Sequence, residues 1–167
     1  MPRRILVGYD GSRPARAAFD YAVAAAQEGH ATLTVLLSLP MPSTAGSPWI
    51  PMAGDVILES RQALQDDLAA RVAALPVDLS ITRIVSEAPP GPALIAEAER
   101  GHHDVIFIGV PAGPWHKFSG GILGYLQRHS PIPVVAVPST ETAEARSRSS
   151  RNAGHRRHGP HQGEHGG

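Results

Sequence analysis

Residues 104–131, "DVIFIGVPAGPWHKFSGGILGYLQRHSP", decide how the rest of the chain is read. The run "DVIFIG" is short, continuous and apolar, which predicts a strand buried on both faces. "GYLQRHSP" predicts a short helix. Between them, from Gly109 to Gly121, lies a glycine-rich loop. Strand, glycine-rich loop and helix together form the usual geometry of a phosphate cradle. Glycines let backbone N–H groups face an anion, and a helix N-terminus adds its positive field. This loop is irregular for that task, because Pro111 and Pro114 remove donors and stiffen the backbone. Two readings follow. In one, Gly113, Ser119, Gly120 and Gly121 offer N–H groups while Lys117 or His116 reaches a phosphate as a cation. In the other, the loop is a glycine turn that only joins strand to helix.

Upstream, "RRILVGY" predicts a buried strand that ends at the turn "DGS". Ser12 can cap a following helix, with Pro14 in its first turn, where a missing N–H does no harm. That helix is expected from Arg13 to Glu28, burying Ala17, Tyr21 and Ala24 and stopping at Gly29. "ATLTVLLSL" is a second buried strand. The stretch "PMPSTAGSPWIPMAGD" has four Pro and two Gly, and a loop of such length is usually functional or mobile. A long helix then carries Ile57, Leu64, Leu68, Val72 and Leu75 on one stripe. Asp66 and Asp67 sit on its solvated face, with no facing carboxylate to make a catalytic pair. "VDLSITRIV" alternates, which places it at a sheet edge with Leu79 and Ile81 inward. "PPGPALIAEAERG" is a helix entered through prolines and closed by Gly101. His102 and His103 follow it, where basic residues suit the helix dipole. Downstream of the loop, "PVVAVP" is the last strand, fenced by Pro133 and Pro138.

Strands and helices thus alternate strictly. That predicts an α/β fold, a doubly wound parallel five-stranded sheet with helices on both faces. Strand character gives the order 3-2-1-4-5. In such a sheet the ligand crevice lies beyond the carboxyl ends of strands one and four, where the winding reverses. Asp10 and the Gly109 loop fall at those two ends, and Ser38, closing the second strand, joins the candidate set. Asp10 is either a ligand for ribose or a metal-linked phosphate, or the residue that shapes the turn and starts the helix.

The totals narrow the function. The chain has 167 residues, with Lys plus Arg equal to Asp plus Glu, so no overall charge demands nucleic acid. There is no Cys, which excludes disulfides and thiol chemistry. The apolar run before Asp10 is too short for a signal peptide or a membrane span, so a soluble cytoplasmic protein is expected. Lys117 is the single lysine beside fourteen Arg, and it lies in the loop. Residues 1–138 form the expected domain. Residues 139–167, "STETAEARSRSSRNAGHRRHGPHQGEHGG", show no apolar periodicity and are expected to be a disordered tail. Its His155, His158, His161 and His165 are spaced to chelate Zn or Ni weakly, or they belong to a low-complexity end without a ligand. Specific nucleic-acid binding is not expected from it.

Three stretches resemble the universal stress protein family: "ILVGYDGSRPARAAFDYAVAAAQEGHATLTVL", "GPALIAEAERGHHDVIFIG" and "GYLQRHSPIPVVAVP". The resemblance covers roughly Arg3 to Pro138. It implies a flavodoxin-like sheet, a homodimer through the last strand (Pro133 to Pro138), and for some members ATP binding, with Mg²⁺ as a possible companion. Members that bind ATP carry G-x-x-G, nine residues, then Gly with Ser or Thr. Here Gly109 fits the first glycine, and the second falls on Ala112, or on Gly113 if the loop is shifted. The closing pair is Gly120-Gly121, with glycine in place of the hydroxyl, and the span from Gly109 to Gly120 is two residues shorter than the pattern. Ala88 and Pro89 stand where many members have Gly-Asp. Trp115 is either a surface for stacking a base or a packing residue. His129 has a structural place in the turn before the last strand.

No nucleophile with a paired base, Ser/His/Asp set or metal triad is visible. The expected function is a stress-response binding module for ATP or another adenine nucleotide, with no catalytic residues. The alternatives are a dimeric adaptor of the same family that binds no nucleotide, and an ATP-dependent activating enzyme, for which no second substrate pocket is evident.

Overall fold

The computed structural model describes residues 1–40, 53–112 and 121–139. Five strands form one parallel sheet: β1 (Arg4–Tyr9), β2 (Thr32–Ser38), β3 (Ile81–Ser86), β4 (Val105–Val110) and β5 (Val134–Pro138). Their order is β3-β2-β1-β4-β5, as expected from strand character, with β1 central and β3 and β5 at the edges. Register is continuous from Arg4↔Thr32 to Tyr9↔Leu37 across β1 and β2. Among the described residues four helices connect the strands: α1 (Arg13–Gly29), α2 (Ala53–Ala73), α3 (Pro90–Arg100) and α4 (Gly121–His129).

Strand alternation builds two cores. Ile5, Val7, Leu33, Val35, Leu37, Val105 and Phe107 face α1 and α2, where Phe19, Ala22 and Leu68 cover them. Leu6, Leu36, Ile106, Ile108 and Val110 face α3 and α4, under Leu94, Ala98, Leu123 and Leu126. Full burial of each such Leu, Ile or Phe contributes roughly 1.5–3 kcal/mol. The central strands are therefore apolar on both faces, whereas β3 alternates, with Ile81 and Ile84 half-buried and Thr82, Arg83 and Val85 exposed.

Helix α1 begins as its residues dictate: the Ser12 hydroxyl accepts the Ala15 N–H at 3.3 Å, and Pro14 occupies the first turn. Its buried face, however, is not the expected one. Ala15, Ala18, Phe19, Ala22, Val23 and Ala26 pack on the sheet, while Ala17 is half-buried and Tyr21 and Ala24 are exposed. Phe19 decides this, because its ring fills the space beside Tyr9 at 5.9 Å. Tyr21 lies on the flank, edge-on to Phe107 at 5.3 Å. The helix also keeps Gly29 and stops one residue later, where His30 adopts the left-handed conformation at φ 51°.

On α2, Leu68 is buried and Leu64 and Val72 pack against the core as expected, as does Leu75 just past the helix end, but Ile57 lies outside both clusters. Asp67 does not belong to a solvated face. It accepts the Tyr9 hydroxyl and pairs with Arg16 at 3.2 Å and Arg71 at 3.4 Å, tying α2 to β1 and α1. The Tyr9 bond, with the two guanidiniums, holds the Asp67 carboxyl below the usual range, against a smaller effect of desolvation. Burial, then the bond to Asp67, pushes the Tyr9 phenol up. Asp66 remains exposed.

His103 also departs from its expected role as a helix-end cation. It is buried, with Nδ1 3.1 Å from the Glu97 carbonyl and Nε2 2.9 Å from the Thr34 hydroxyl. A carbonyl can only accept, so in the neutral ring the neighbours assign the proton to Nδ1 and leave Nε2 to accept from Thr34. His102 is exposed and makes the turn, at φ 48°.

Candidate functional site

The right-handed crossovers of a parallel sheet leave a crevice where neighbouring connections depart to opposite faces. After β1 the chain enters α1 on one face, and after β4 it enters α4 on the other. A cavity of about 230 Å³ opens at that point. Its walls are apolar: Gly8 of β1, Leu36 of β2, Leu94 of α3, Ile108 and Val110 of β4, and Ile122 and Leu123 of α4. Tyr9, Asp10, Ser12, Ser38, Gly109 and Pro111 also line it, with Ala15 and Pro90. Asp10 is the one charged residue among the described lining.

Gly8 keeps the floor open. A Cβ there would stand 3.0 Å from the Ile108 Cδ1 and 3.2 Å from a Leu94 methyl. Asp10 is exposed, and its Oδ1 accepts the Ser12 N–H at 2.9 Å, so it shapes the turn. One such bond does not exhaust a carboxylate. Gly11, at φ 75°, lets the chain reverse between Asp10 and the cap, and a Cβ there would meet Leu64 at 2.5 Å. Ser38 donates its hydroxyl to the Ala88 carbonyl at 2.7 Å, joining the end of β2 to the entry of α3. Arg61 fastens the same corner by donating to the Leu39 carbonyl and pairing with Glu87 at 3.1 Å.

Sequence reasoning therefore converges on one place: Asp10, Ser38 and Gly109 all line this cavity. Gly121 starts α4 at φ 70° with open space around it, and is not part of the lining. Gly113, Lys117, Ser119 and Gly120 lie outside the described residues, as do Trp115 and His116, the loop at 41–52, and His155, His158, His161 and His165 of the tail.

Gly109 has a structural duty that sequence did not reveal. A Cβ on it would fall 2.0 Å from the Pro14 carbonyl oxygen and 2.6 Å from the Ala15 nitrogen, both backbone atoms of α1. Only glycine lets β4 and the first turn of α1 approach so closely. The next residues are also engaged. Ala112, at the expected second glycine, donates its N–H to the Ser139 hydroxyl at 3.2 Å. The Ser139 N–H in turn reaches the Val110 carbonyl at 2.9 Å. The apolar wall was equally missed as a site, because Leu36, Leu94 and Ile108 read simply as core.

Among the described residues no group of three or more His, Asp or Glu could hold a metal, and no helix is long and apolar enough to cross a membrane.

Comparison with known proteins agrees with this geometry. The model of the universal stress protein family matches residues 1–138. Among solved structures, universal stress protein UspA from Lactobacillus plantarum is similar at 25% identity and TM-score 0.65, covering 80% of this chain and 96% of that one. A universal stress protein family member from Burkholderia pseudomallei is 28% identical at TM-score 0.58, over 81% of this chain and 96% of its own. A member from Arabidopsis thaliana, with AMP bound, shares the fold at TM-score 0.60 and 12% identity, over 84% and 94% of the two chains. No curated protein matches the sequence.

Proposed function

The chain belongs to the universal stress protein family, and from that premise we propose that it is a cytoplasmic binding module, not an enzyme, which holds an adenine nucleotide in the cavity between β1 and β4. The observation that carries this reading is the cavity itself. An apolar slot between Leu36, Leu94 and Ile108 suits a purine, and the Asp10 carboxylate at its rim suits ribose hydroxyls, which donate. The AMP bound to the Arabidopsis protein supports the choice of ligand class. Ser38, Gly113, Lys117, Ser119, Gly120 and Gly121 are the remaining candidates to contact the nucleotide, with Mg²⁺ where phosphates need it. Binding would act as a switch by biasing the conformation of the loop that follows β4.

The working unit in this proposal is a homodimer joined through β5. That strand is an edge of the sheet among the described residues, and an edge invites backbone pairing. Beside it, Val135 and Val137 form a shallow groove with Ala17, Asp20 and Tyr21, a residue that is 54% exposed. Sedimentation at micromolar concentration should give twice the chain mass; a monomer would remove this part of the reading.

The test of nucleotide binding is release. Protein purified without added ligand is denatured in acid and the supernatant separated by chromatography. A co-purified adenine nucleotide is the expected result. If none is released and none stabilises the protein on titration, the second reading takes over, a dimeric adaptor that binds no nucleotide. Two observations favour that rival: the Ala112 N–H is occupied by Ser139, and Gly121 has no hydroxyl.

A further inference from the structure

We infer that Ser38 reads the six-position of the base, so that the cavity prefers a 6-amino purine to a 6-oxo one; the inference rests on the adenine-nucleotide reading above. Along β2, Leu33, Val35 and Leu37 face α1 and α2, whereas Leu36 faces α3 and α4. Alternation puts Ser38 on the same face as Leu36, the side from which both residues line the cavity. Its side chain therefore stands as a polar group at the carboxyl end of an apolar wall.

The direction of its hydrogen bond fixes what it offers. Ser38 Oγ lies 2.7 Å from the Ala88 carbonyl oxygen, which can only accept, so the hydroxyl proton is committed there. The corner that carries this carbonyl is braced on several sides. The Ala88 N–H donates to the Ser86 hydroxyl at 3.2 Å, the Leu39 N–H to the Ser86 carbonyl at 2.7 Å, and Glu87 pairs with Arg61 at 3.1 Å. Toward a ligand, Ser38 Oγ thus presents lone pairs and acts as an acceptor. To donate instead, it would have to desert the carbonyl at the entry of α3. Adenine answers an acceptor at a single point. Its ring nitrogens accept, except the one that carries the ribose, and its 6-amino group donates. A 6-oxo group reverses the match and sets lone pair against lone pair. With the ribose at Asp10 and the base against Leu36 and Leu94, the amino group is the part of the base that Ser38 can bind.

The test is calorimetric titration of the full-length protein with three nucleotides that differ at position six, each as the monophosphate and as the triphosphate with Mg²⁺. They are the adenosine, purine riboside and inosine nucleotides, with an amino group, a hydrogen and an oxo group there. The expected order of affinity is adenosine, purine riboside, inosine. The first step should lose about three- to tenfold, the size of one neutral hydrogen bond. Equal binding of the adenosine and purine riboside nucleotides, or inosine nucleotides as tight as adenosine ones, would overturn the inference and leave the proposed function intact. Binding of none of them would overturn both. Ser38→Ala removes the acceptor. It should bring the adenosine nucleotide down to the affinity of the purine riboside nucleotide while leaving the latter unchanged, which shows that the cavity itself is intact. A preference for the amino group that survives Ser38→Ala would refute the inference. Should the variant not fold, the wild-type series still decides.

Discussion

The two ends of the parallel sheet are built on opposite principles. At the amino ends, polar groups are paired across the fold. The Asp104 carboxylate accepts the N–H groups of Arg3 and Arg4 at 2.7 and 2.8 Å, the Arg4 side chain reaches the Gly101 carbonyl at 2.8 Å, and His103 is held on both nitrogens. Those pairs clasp β1, β2, β4 and the end of α3 together. At the carboxyl ends the walls of the crevice are apolar, and among the described residues Asp10 is tied within its own turn. A polar group consumed by the fold is a structural part, and one with capacity left beside an apolar cavity is, in the function proposed above, a binding part. The difference separates residues that sequence treats alike, such as Asp10 and Asp104.

The comparison can be broken, and the heaviest blow falls on the residue that belongs to both categories. Gly109 lies at the open end but serves the fold. Gly109→Ala puts a methyl into the backbone of α1, and overpacking of this kind costs about 3 kcal/mol. Thermal unfolding should show a fall of roughly 10 °C for a chain of this size. An unchanged melting temperature would mean that the close approach of β4 and α1 is not a constraint.

Next is the clasp at the closed end. Thr34→Val keeps the shape and leaves His103 Nε2 buried without a partner, at a cost of about 1–2 kcal/mol in chemical denaturation. In the pair of Thr34→Val with His103→Phe the two losses should fall short of additive, since they remove one shared bond. Full additivity would show that the 2.9 Å contact contributes nothing.

A smaller effect appears only in acid. The two backbone N–H groups, first Arg4 and then Arg3, hold the Asp104 carboxyl below its ordinary range. A carboxyl lowered on folding stabilises the protein above its unfolded value near 4, and that contribution is lost as pH falls through the folded value. Denaturation midpoints measured from pH 6 down to pH 2 should therefore fall less steeply for Asp104→Ala than for the wild type. Parallel curves would remove Asp104 from the clasp. The smallest change in stability belongs to Asp10→Asn, within about 0.5 kcal/mol, because the amide oxygen can still accept the Ser12 N–H. A larger loss would make Asp10 a structural residue like its counterpart at the other end.

How far the fold was legible follows from the same contrast. The continuous apolar run "DVIFIG" predicted that β4 is internal and the alternation in β3 that it is an edge, because burial on one face or two leaves a mark on composition. The site's position was also legible, since the winding order alone brings Asp10 and Gly109 together. The contact face of α1 was not. Alanine occurs on every side of that helix, so periodicity is weak, and Phe19 rather than the Ala17–Tyr21 stripe settles the choice. The Tyr9–Asp67 bond joins residues 58 apart, and Ala112 finds Ser139 across 27. No local pattern records such partners. They decide that Asp67 is a strut and that the Ala112 N–H is not available to a phosphate.

Hydrogen exchange read by mass spectrometry, with and without AMP at saturating concentration, tests the division of labour directly. A bound nucleotide slows exchange where it orders or covers backbone, and leaves distant segments unchanged. The account predicts added protection at residues 8–12, 108–112 and 121–123, with none at 100–104. Protection at 100–104, or no change at any of these segments, would contradict it.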